Sequence, residues 1–235
     1  MNVKVSVIIV TYNAVATLQQ CLNSIYVQTH PIDIIMVDGG STDGTVDILQ
    51  QNASKLSYWI SEKDTGIYNA MNKAVKQVKT LWVYFLGADD ELLPGFSAFA
   101  AELKDDAAIY YANLLSNGVV RSGKVTDYYM AKGGIYHQTI IYPASVFKKY
   151  SFNEKYRIAA DYALNMQLYF DKHYHFEHKP YIIAKYNHLG ISGTAIDGPF
   201  EKDKSKLIRQ NFGLKIWLRY AFRLLKAKLG VNKKS

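Results

Sequence analysis

Leu81 to Leu86 is an unbroken apolar run that stops at Gly87-Ala88-Asp89-Asp90, with two carboxylates side by side. A strand buried on both faces has that apolar profile, and the ligand crevices of open α/β sheets lie at the carboxyl ends of such strands. Three earlier runs, Val5 to Val10, Ile34 to Val37 and Leu56 to Ile60, alternate with segments of helical spacing at roughly Ala14 to Val27, Thr45 to Gln51 and Gly66 to Lys79. Strand and helix in alternation imply an α/β chain with a mostly parallel sheet and helices on both faces. After Gly95 the order changes to one more helix, a short strand around Ala108 to Tyr111, and a tyrosine-rich polar stretch, Asn117 to Gly134, that reads as hairpins and loops. A helix from near Ala160 to about Lys172 and a strand from Tyr181 to Tyr186 follow.

The 235 residues, 49% hydrophobic, suit one α/β domain with ample material for a core. Cys21 is the only cysteine, so no intrachain disulfide can form, and a reducing cytosolic setting is the simpler expectation. Val5 to Val10 is too short for a signal-peptide core and no apolar run reaches eighteen residues, so neither a secretion signal nor a membrane span is expected. The formal charge of +8 is concentrated at one end. Residues 201–235 hold eleven Lys or Arg and two acids, whereas the first 200 hold seventeen basic and eighteen acidic residues. That distribution disfavours a nucleic-acid-binding surface and favours a near-neutral catalytic body with a cationic anchor.

Adjacent carboxylates repel each other unless a cation or hydrogen bonds compensate, so Asp89 and Asp90 suggest a hard divalent metal shared with a substrate's phosphates. The alternative is a turn before a helix beginning near Pro94. The first strand ends in Thr11-Tyr12-Asn13, where neither G-x-G-x-x-G nor a P-loop lysine is present, and Gly39-Gly40-Ser41-Thr42-Asp43-Gly44 is followed by no Lys-Ser/Thr. A diphosphate without a backbone cradle needs a metal to neutralise it. Asp38, at the end of the second strand, could accept from a base or ribose while Tyr12 stacks on the base; the alternative is that Asp38 and Asp43 are turn and cap residues. Asp64, Asn69 and Asn72 form a polar set beside the apolar face Ile67, Ala70, Met71, Ala74 and Val75, with a nucleotide as one candidate partner.

The segments V-S-V-I-I-V-T-Y-N-A, V-D-G-G-S-T-D-G-T, S-E-K-D-T-G-I-Y-N-A-M-N-K-A and F-L-G-A-D-D, in this order and spacing, resemble the family 2 glycosyltransferases of the GT-A fold, especially bacterial members that build surface polysaccharides. The resemblance is close over about the first 95 residues and looser to about Asp171. It implies that Thr11, Tyr12 and Asn13 line a nucleotide pocket, that Asp38 contacts the base, and that Asp64 lies near base or ribose. Asp89 and Asp90 match the D-x-D-type element, written here Ala88-Asp89-Asp90. Asp90 is then the direct ligand of Mn²⁺ or Mg²⁺, with Asp89 on the ribose or behind the metal. The base of the family matches Asp161 in Ala159-Ala160-Asp161, where Ala160 replaces the first acid of the usual pair. His137-Gln138 matches an element of polysaccharide-building relatives and places His137 near the diphosphate, the metal or the acceptor, the alternative being a hydrogen-bonded structural histidine. The cluster His173, His175 and His178 reads as a solvated connection from helix to strand.

The function so implied is inverting transfer of a sugar from a nucleotide diphospho-sugar, UDP-linked first, to a lipid-linked saccharide acceptor. The division implied is a GT-A domain over 1–200, with a donor half 1–95 and an acceptor half 96–200, and a basic helical tail over 201–235. In that tail Lys215, Arg219, Arg223 and Lys226 form one stripe, with Leu214, Trp217, Leu218, Ala221, Phe222, Leu225 and Leu229 largely on another side. Such a helix suits the plane of an anionic bilayer, on the cytoplasmic leaflet, or else packs on the body with a solvated basic face. Two rival readings are a non-catalytic nucleotide-sugar binder, because of Ala88 and Ala160, and a nucleotidyltransferase, for which Thr11-Tyr12-Asn13-Ala14 lacks the Gly-rich basic loop.

Overall fold

The computed structural model describes residues 4–121, 123–187 and 195–229. Its first half runs Val5–Thr11 (β1), Leu18–Tyr26 (α1), Ile32–Asp38 (β2), Thr45–Asn52 (α2), Tyr58–Ser61 (β3), Ile67–Ala74 (α3) and Trp82–Gly87 (β4). These strands lie parallel in the order β3-β2-β1-β4. Register sets Thr11 beside Asp38, Val10 beside Gly87 and Asp38 beside Ser61, so the polar strand ends open along one edge. Helix α1 starts at Leu18, four residues later than its spacing suggests. The amides of Ala14 and Val15 donate to Thr45 Oγ1 (2.8 Å) and Asp43 Oδ2 (3.0 Å), which holds 14–17 as a turn.

The second half comprises Glu91–Leu92 (β5), Gly95–Ala100 (α4), Ala108–Ser116 (β6), Val119–Arg121 (β7), Asp127–Gly133 (α5), Ile140–Pro143 (β8), Val146–Lys149 (α6), Ala160–Phe170 (α7), His175–Lys185 (β9) and Gly198–Lys228 (α8). Among the described residues one sheet of nine strands results, ordered β3-β2-β1-β4-β8-β6-β9-β5, with β7 paired to β6. Beyond β4 the pairing is mixed: β8 is antiparallel to β4 and β6, while β6 and β9 are parallel. Helices cover both faces. Leu18, Leu22, Leu49, Phe96 and Phe99 pack on Val7, Ile9, Tyr84 and Leu86, and Tyr68, Met71, Ala163 and Leu164 pack on Ile8, Val37 and Phe85. Alternation of side chains along each buried strand supplies the two cores.

Three segments differ from the sequence reading. Strand β6 runs on to Ser116 and turns through Asn117 (φ 49) and Gly118 (φ 74), a left-handed pair that suits a two-residue hairpin. The stretch expected as loop contains α5, because Thr126 caps it by accepting from the Tyr129 amide at 3.2 Å. Strand β9 starts at His175, with a register shift opposite Tyr111 to Asn113 that takes up Lys179 to Tyr181, including Pro180. His175 and His178 are therefore strand residues, and His178 Nε2 lies 3.0 Å from Asn113 Oδ1.

Helix α8 is two helices meeting at Gly213, whose φ of 77° breaks the helical path. Phe200, Ile208, Phe212 and Tyr220 bury themselves in the same core as α7. Past Gly213, Leu214, Leu218, Phe222, Leu225 and Leu229 are each more than half exposed. Among the described residues no helix is long and apolar enough to cross a membrane.

Candidate active site

At the β1 and β2 ends the residues are held by one loop. Asn13, in the left-handed region, accepts from the Thr42 amide (3.0 Å) and donates its own amide to Ser41 Oγ (2.8 Å). The sequence reading puts the Asp38 carboxylate at the crevice as an acceptor for a base. In the structure it is fully buried and turned into its own loop, accepting from the amides of Gly40 (3.0 Å) and Ser41 (2.8 Å) and from the hydroxyls of Ser41 and Ser61. Its effect is to fix the path of Gly39. A Cβ on Gly39 would stand 2.6 Å from Asp64 Oδ2 and 3.4 Å from the Tyr12 ring, so that bare backbone brings Tyr12 and Asp64 together. Tyr12 is exposed, whereas Thr11 is buried and its Oγ1 has no partner among the described residues. Asn69 points elsewhere: its amide donates to Glu154 at 3.1 Å, and Asn72 brackets Phe152, accepting from its amide and donating to its carbonyl at 2.9 Å each. The polar face of α3 thus finds its partners in the loop before α7.

At the β4 end Asp89 and Asp90 fold back over Gly87, where a Cβ would lie 2.6 Å from Asp90 Oδ2 and 2.9 Å from Asp89 Oδ1. Asp90 is buried and accepts from Gln138 Nε2 (3.1 Å) and the Asn187 amide (2.8 Å). Burial pushes its carboxyl above the ordinary range and the charge of Asp89 adds to that, against the hydrogen bond from Asn187 and the nearby His137. Burial raises Asp89 likewise. Among the described residues no Lys or Arg forms an ion pair with either, and no cluster of three or more His, Cys, Asp or Glu is arranged to hold a metal. A cleft of about 630 Å³ opens beside the pair, lined also by Thr17, Gln20, Glu91 and Lys185.

Asp161 stands in the first turn of α7. Its Oδ1 accepts from the Tyr68 hydroxyl at 2.6 Å, and its Oδ2 is 3.6 Å from His137 Nδ1. The 3₁₀ turn His137–Thr139 therefore links the two acid sites, with His137 beside Asp161 and Gln138 on Asp90. The amides of Ile158 and Ala159, which lead into α7, donate to the buried Asp197 Oδ2 at 2.8 and 3.1 Å, and Asp197 Oδ1 caps α8 at Phe200. Tyr68, Asn187 and Asp197 were not singled out by the sequence. Tyr68 takes the buried place on α3 that helical spacing gives to Ile67, which is 42% exposed.

The chain is a family 2 glycosyltransferase by sequence: residues 6–175 match the profile of Glycosyl transferase family 2, and the protein belongs to that family. A PGL/p-HBAD biosynthesis glycosyltransferase of Mycobacterium tuberculosis is 33% identical over 210 residues, 84% of this chain and 82% of the relative. In structure the chain is similar to Staphylococcus aureus TarS 1-349 in complex with UDP-GlcNAc (TM-score 0.71, 22% identity, 88% of this chain and 66% of that one). It spans 39% of a longer TarS chain. It is also similar to the mannosyltransferase PcManGT from Pyrobaculum calidifontis in complex with GDP-Man and Mn²⁺ (TM-score 0.64, 16% identity, 95% of this chain and 65% of that one). The fold is that of the GT-A glycosyltransferases.

Proposed function

We propose that this protein transfers a sugar from a nucleotide diphospho-sugar, UDP-linked first, to a hydroxyl of a lipid-linked saccharide in surface polysaccharide biosynthesis, with inversion at the anomeric carbon. The observation that carries this reading is the pair Asp89–Asp90 set across His137-Gln138 from a single separate carboxylate, Asp161. Tyr12 stacks on the base, Asp64 accepts from the ribose, and the bare backbone at Gly39 lets both approach. TarS in complex with UDP-GlcNAc supports a uridine donor.

The donor set at the β4 end fits Mg²⁺ or Mn²⁺. It offers hard oxygens, charge uncompensated by Lys or Arg among the described residues, and two carboxylates, and such ions commonly complete their shell with water and phosphate oxygens. Asp90 would hold the ion, with Asp89 beside it, and PcManGT in complex with Mn²⁺ supports the use of a divalent metal. A bound divalent cation would supply Lewis-acid stabilisation of the charge on the departing diphosphate. Asp161 takes the proton of the acceptor hydroxyl as that oxygen bonds to the anomeric carbon and the bond to phosphate breaks. His137 lies close enough to steady the carboxylate or the acceptor.

The division proposed is a GT-A body over 1–200 and a tail over 201–235. The exposed row Leu214, Leu218, Phe222, Leu225 and Leu229, beside Lys215, Arg223 and Lys226, supports peripheral attachment of the tail to an anionic cytoplasmic leaflet. Arg219 instead lies 3.9 Å over the Tyr128 ring and ties the tail to α5.

Calorimetric titration of UDP, GDP and dTDP with and without Mn²⁺, on the wild type and Asp90→Ala, tests the donor site. Metal-dependent binding of one nucleotide that the substitution removes is expected; no binding of any nucleotide would favour a degenerate site. Asp161→Asn is expected to keep that binding and lose about 10²- to 10⁴-fold in turnover. Replacing the exposed Leu218, Phe222 and Leu225 by Glu, which spares the core residues Ile208, Phe212 and Tyr220, should abolish binding to phosphatidylserine-containing liposomes, and unchanged binding would remove the membrane assignment.

A further inference from the structure

We propose that Tyr68 is the positioning residue of the base: its hydroxyl holds Oδ1 of Asp161 and leaves Oδ2, on the His137 side, to receive the proton of the acceptor. This rests on Asp161 being the base. The geometry is specific. Tyr68 is 5% exposed, its ring lies 5.3 Å from that of Phe152 in the core, and its oxygen is 2.6 Å from Asp161 Oδ1 and 2.7 Å from the Ile158 carbonyl.

The packed ring fixes the place of the phenolic oxygen, and of the two acceptors in reach of its one proton the charged Asp161 Oδ1 is the stronger and the nearer, so the hydroxyl donates to the carboxylate. A carboxylate otherwise turns freely about its last bond, and a short charge-assisted hydrogen bond is the interaction able to stop it. Helix α3 is itself pinned to the loop ahead of α7 by Asn69 on Glu154 and Asn72 on Phe152. The distance between the two helices at this point is therefore fixed independently of the hydroxyl.

Tyr68 remains a donor throughout. Burial and the neighbouring Asp161 charge push its phenol well above the ordinary tyrosine range, so it keeps its own proton. The proton that moves goes from the acceptor oxygen to Asp161 Oδ2, and no charge passes through Tyr68.

The test compares Tyr68→Phe, Asp161→Asn and the double variant. Release of nucleotide diphosphate is followed with the UDP-, GDP- or dTDP-sugar whose nucleotide the titration selects, water standing in as acceptor. Tyr68→Phe keeps the ring and all the Asn69 and Asn72 bonds. Donor affinity and KM are expected within about twofold of wild type and kcat down by about 10- to 100-fold, the scale of a misplaced reacting group. In the Asp161→Asn background the same change should produce no further loss. Wild-type kcat in Tyr68→Phe, or an equal loss in both backgrounds, would overturn the proposal. Phe152→Leu loosens the same core without touching the hydroxyl; equal loss of kcat at equal loss of melting temperature would overturn it too. Full turnover in Asp161→Asn sinks the base assignment itself, which a dead Asp161→Asn paired with a fully active Tyr68→Phe does not.

Discussion

The ends of β2 and β4 carry carboxylates of nearly equal burial, Asp38 at 0% and Asp90 at 1% exposed, in opposite conditions. Asp38 is met by two backbone amides and two serine hydroxyls from its own loop and from β3. Among the described residues Asp90 has two donors, one of them a neutral glutamine amide, and a second carboxylate next to it. A buried charge that its own fold satisfies is a structural part. One raised by burial and by a second carboxylate beside it, as Asp90 is, suits the ligand site proposed above.

Substitution at the two positions gives the largest effects and the most direct way to break the contrast. Asp90→Ala is expected to remove Mn²⁺-dependent nucleotide binding and about 10³-fold or more of turnover, the scale of losing preorganised electrostatic stabilisation, with a smaller fall in melting temperature than Asp38→Ala, because stranding Gln138 and the Asn187 amide is offset by relief of the repulsion from Asp89. Asp38→Ala strands buried amides and should destabilise the fold by about 2–4 kcal/mol. For a chain of this size that is a drop on the order of 10 °C. Thermal melts beside nucleotide titrations decide the matter. A stable Asp38→Ala that has lost nucleotide binding would move Asp38 back among the ligand contacts.

A weaker, pH-dependent effect separates the ends further. With the folded carboxyls of Asp89 and Asp90 raised by burial, the metal-free protein carries an unfavourable charge pair at neutral pH, which is relieved as the pH falls through the raised values. Mn²⁺ should therefore raise the melting temperature most near neutral pH and progressively less on acidification, as protons compete for the same oxygens. Asp90→Asn should melt no lower than wild type without metal and gain less from Mn²⁺ at any pH. A Mn²⁺ shift that is flat down to pH 4, or that survives in Asp90→Asn, would place the cation elsewhere.

The parallel half of the sheet was legible because β1, β2 and β4 are buried on both faces, and unbroken apolar runs such as Val5 to Val10 have few other uses. The second half was less so. Strand β9 tolerates Lys179-Pro180 through a register shift that only its partner β6 reveals, and α5 depends on a threonine cap within a tyrosine-rich stretch. At the site, Asp89, Asp90 and Asp161 lie at the ends of elements that periodicity locates. The partners of Asp38 and Asn69 could not be read, because a carboxylate satisfied by its own loop and one open to a crevice look alike in sequence. Tyr68 was hidden for a related reason: helical spacing gave its buried place to Ile67, and its hydroxyl matters only through Asp161, 93 residues away.

Two glycines give the smallest expected effects and the finest separation. Neither Gly39 nor Gly87 has a left-handed backbone, so an alanine at either place acts by its methyl group alone. At Gly87 that methyl presses on Asp90 Oδ2 at 2.6 Å, and Asp90 cannot swing away without giving up Gln138 or Asn187. At Gly39 it presses on Asp64 Oδ2 at 2.6 Å and touches the Tyr12 ring at 3.4 Å. Gly87→Ala should therefore raise the Mn²⁺ concentration needed for half-maximal activity by a few-fold and leave metal-free nucleotide affinity alone. Gly39→Ala should weaken nucleotide binding by a few-fold at an unchanged Mn²⁺ requirement, since about 1 kcal/mol of displaced contact is a factor near five. Titrating Mn²⁺ and nucleotide separately on both variants distinguishes them. If each substitution moved both constants together, the β2 and β4 ends would be one coupled pocket, and the division between a loop-building carboxylate and a ligand-seeking pair would fail at the distance of a single methyl group.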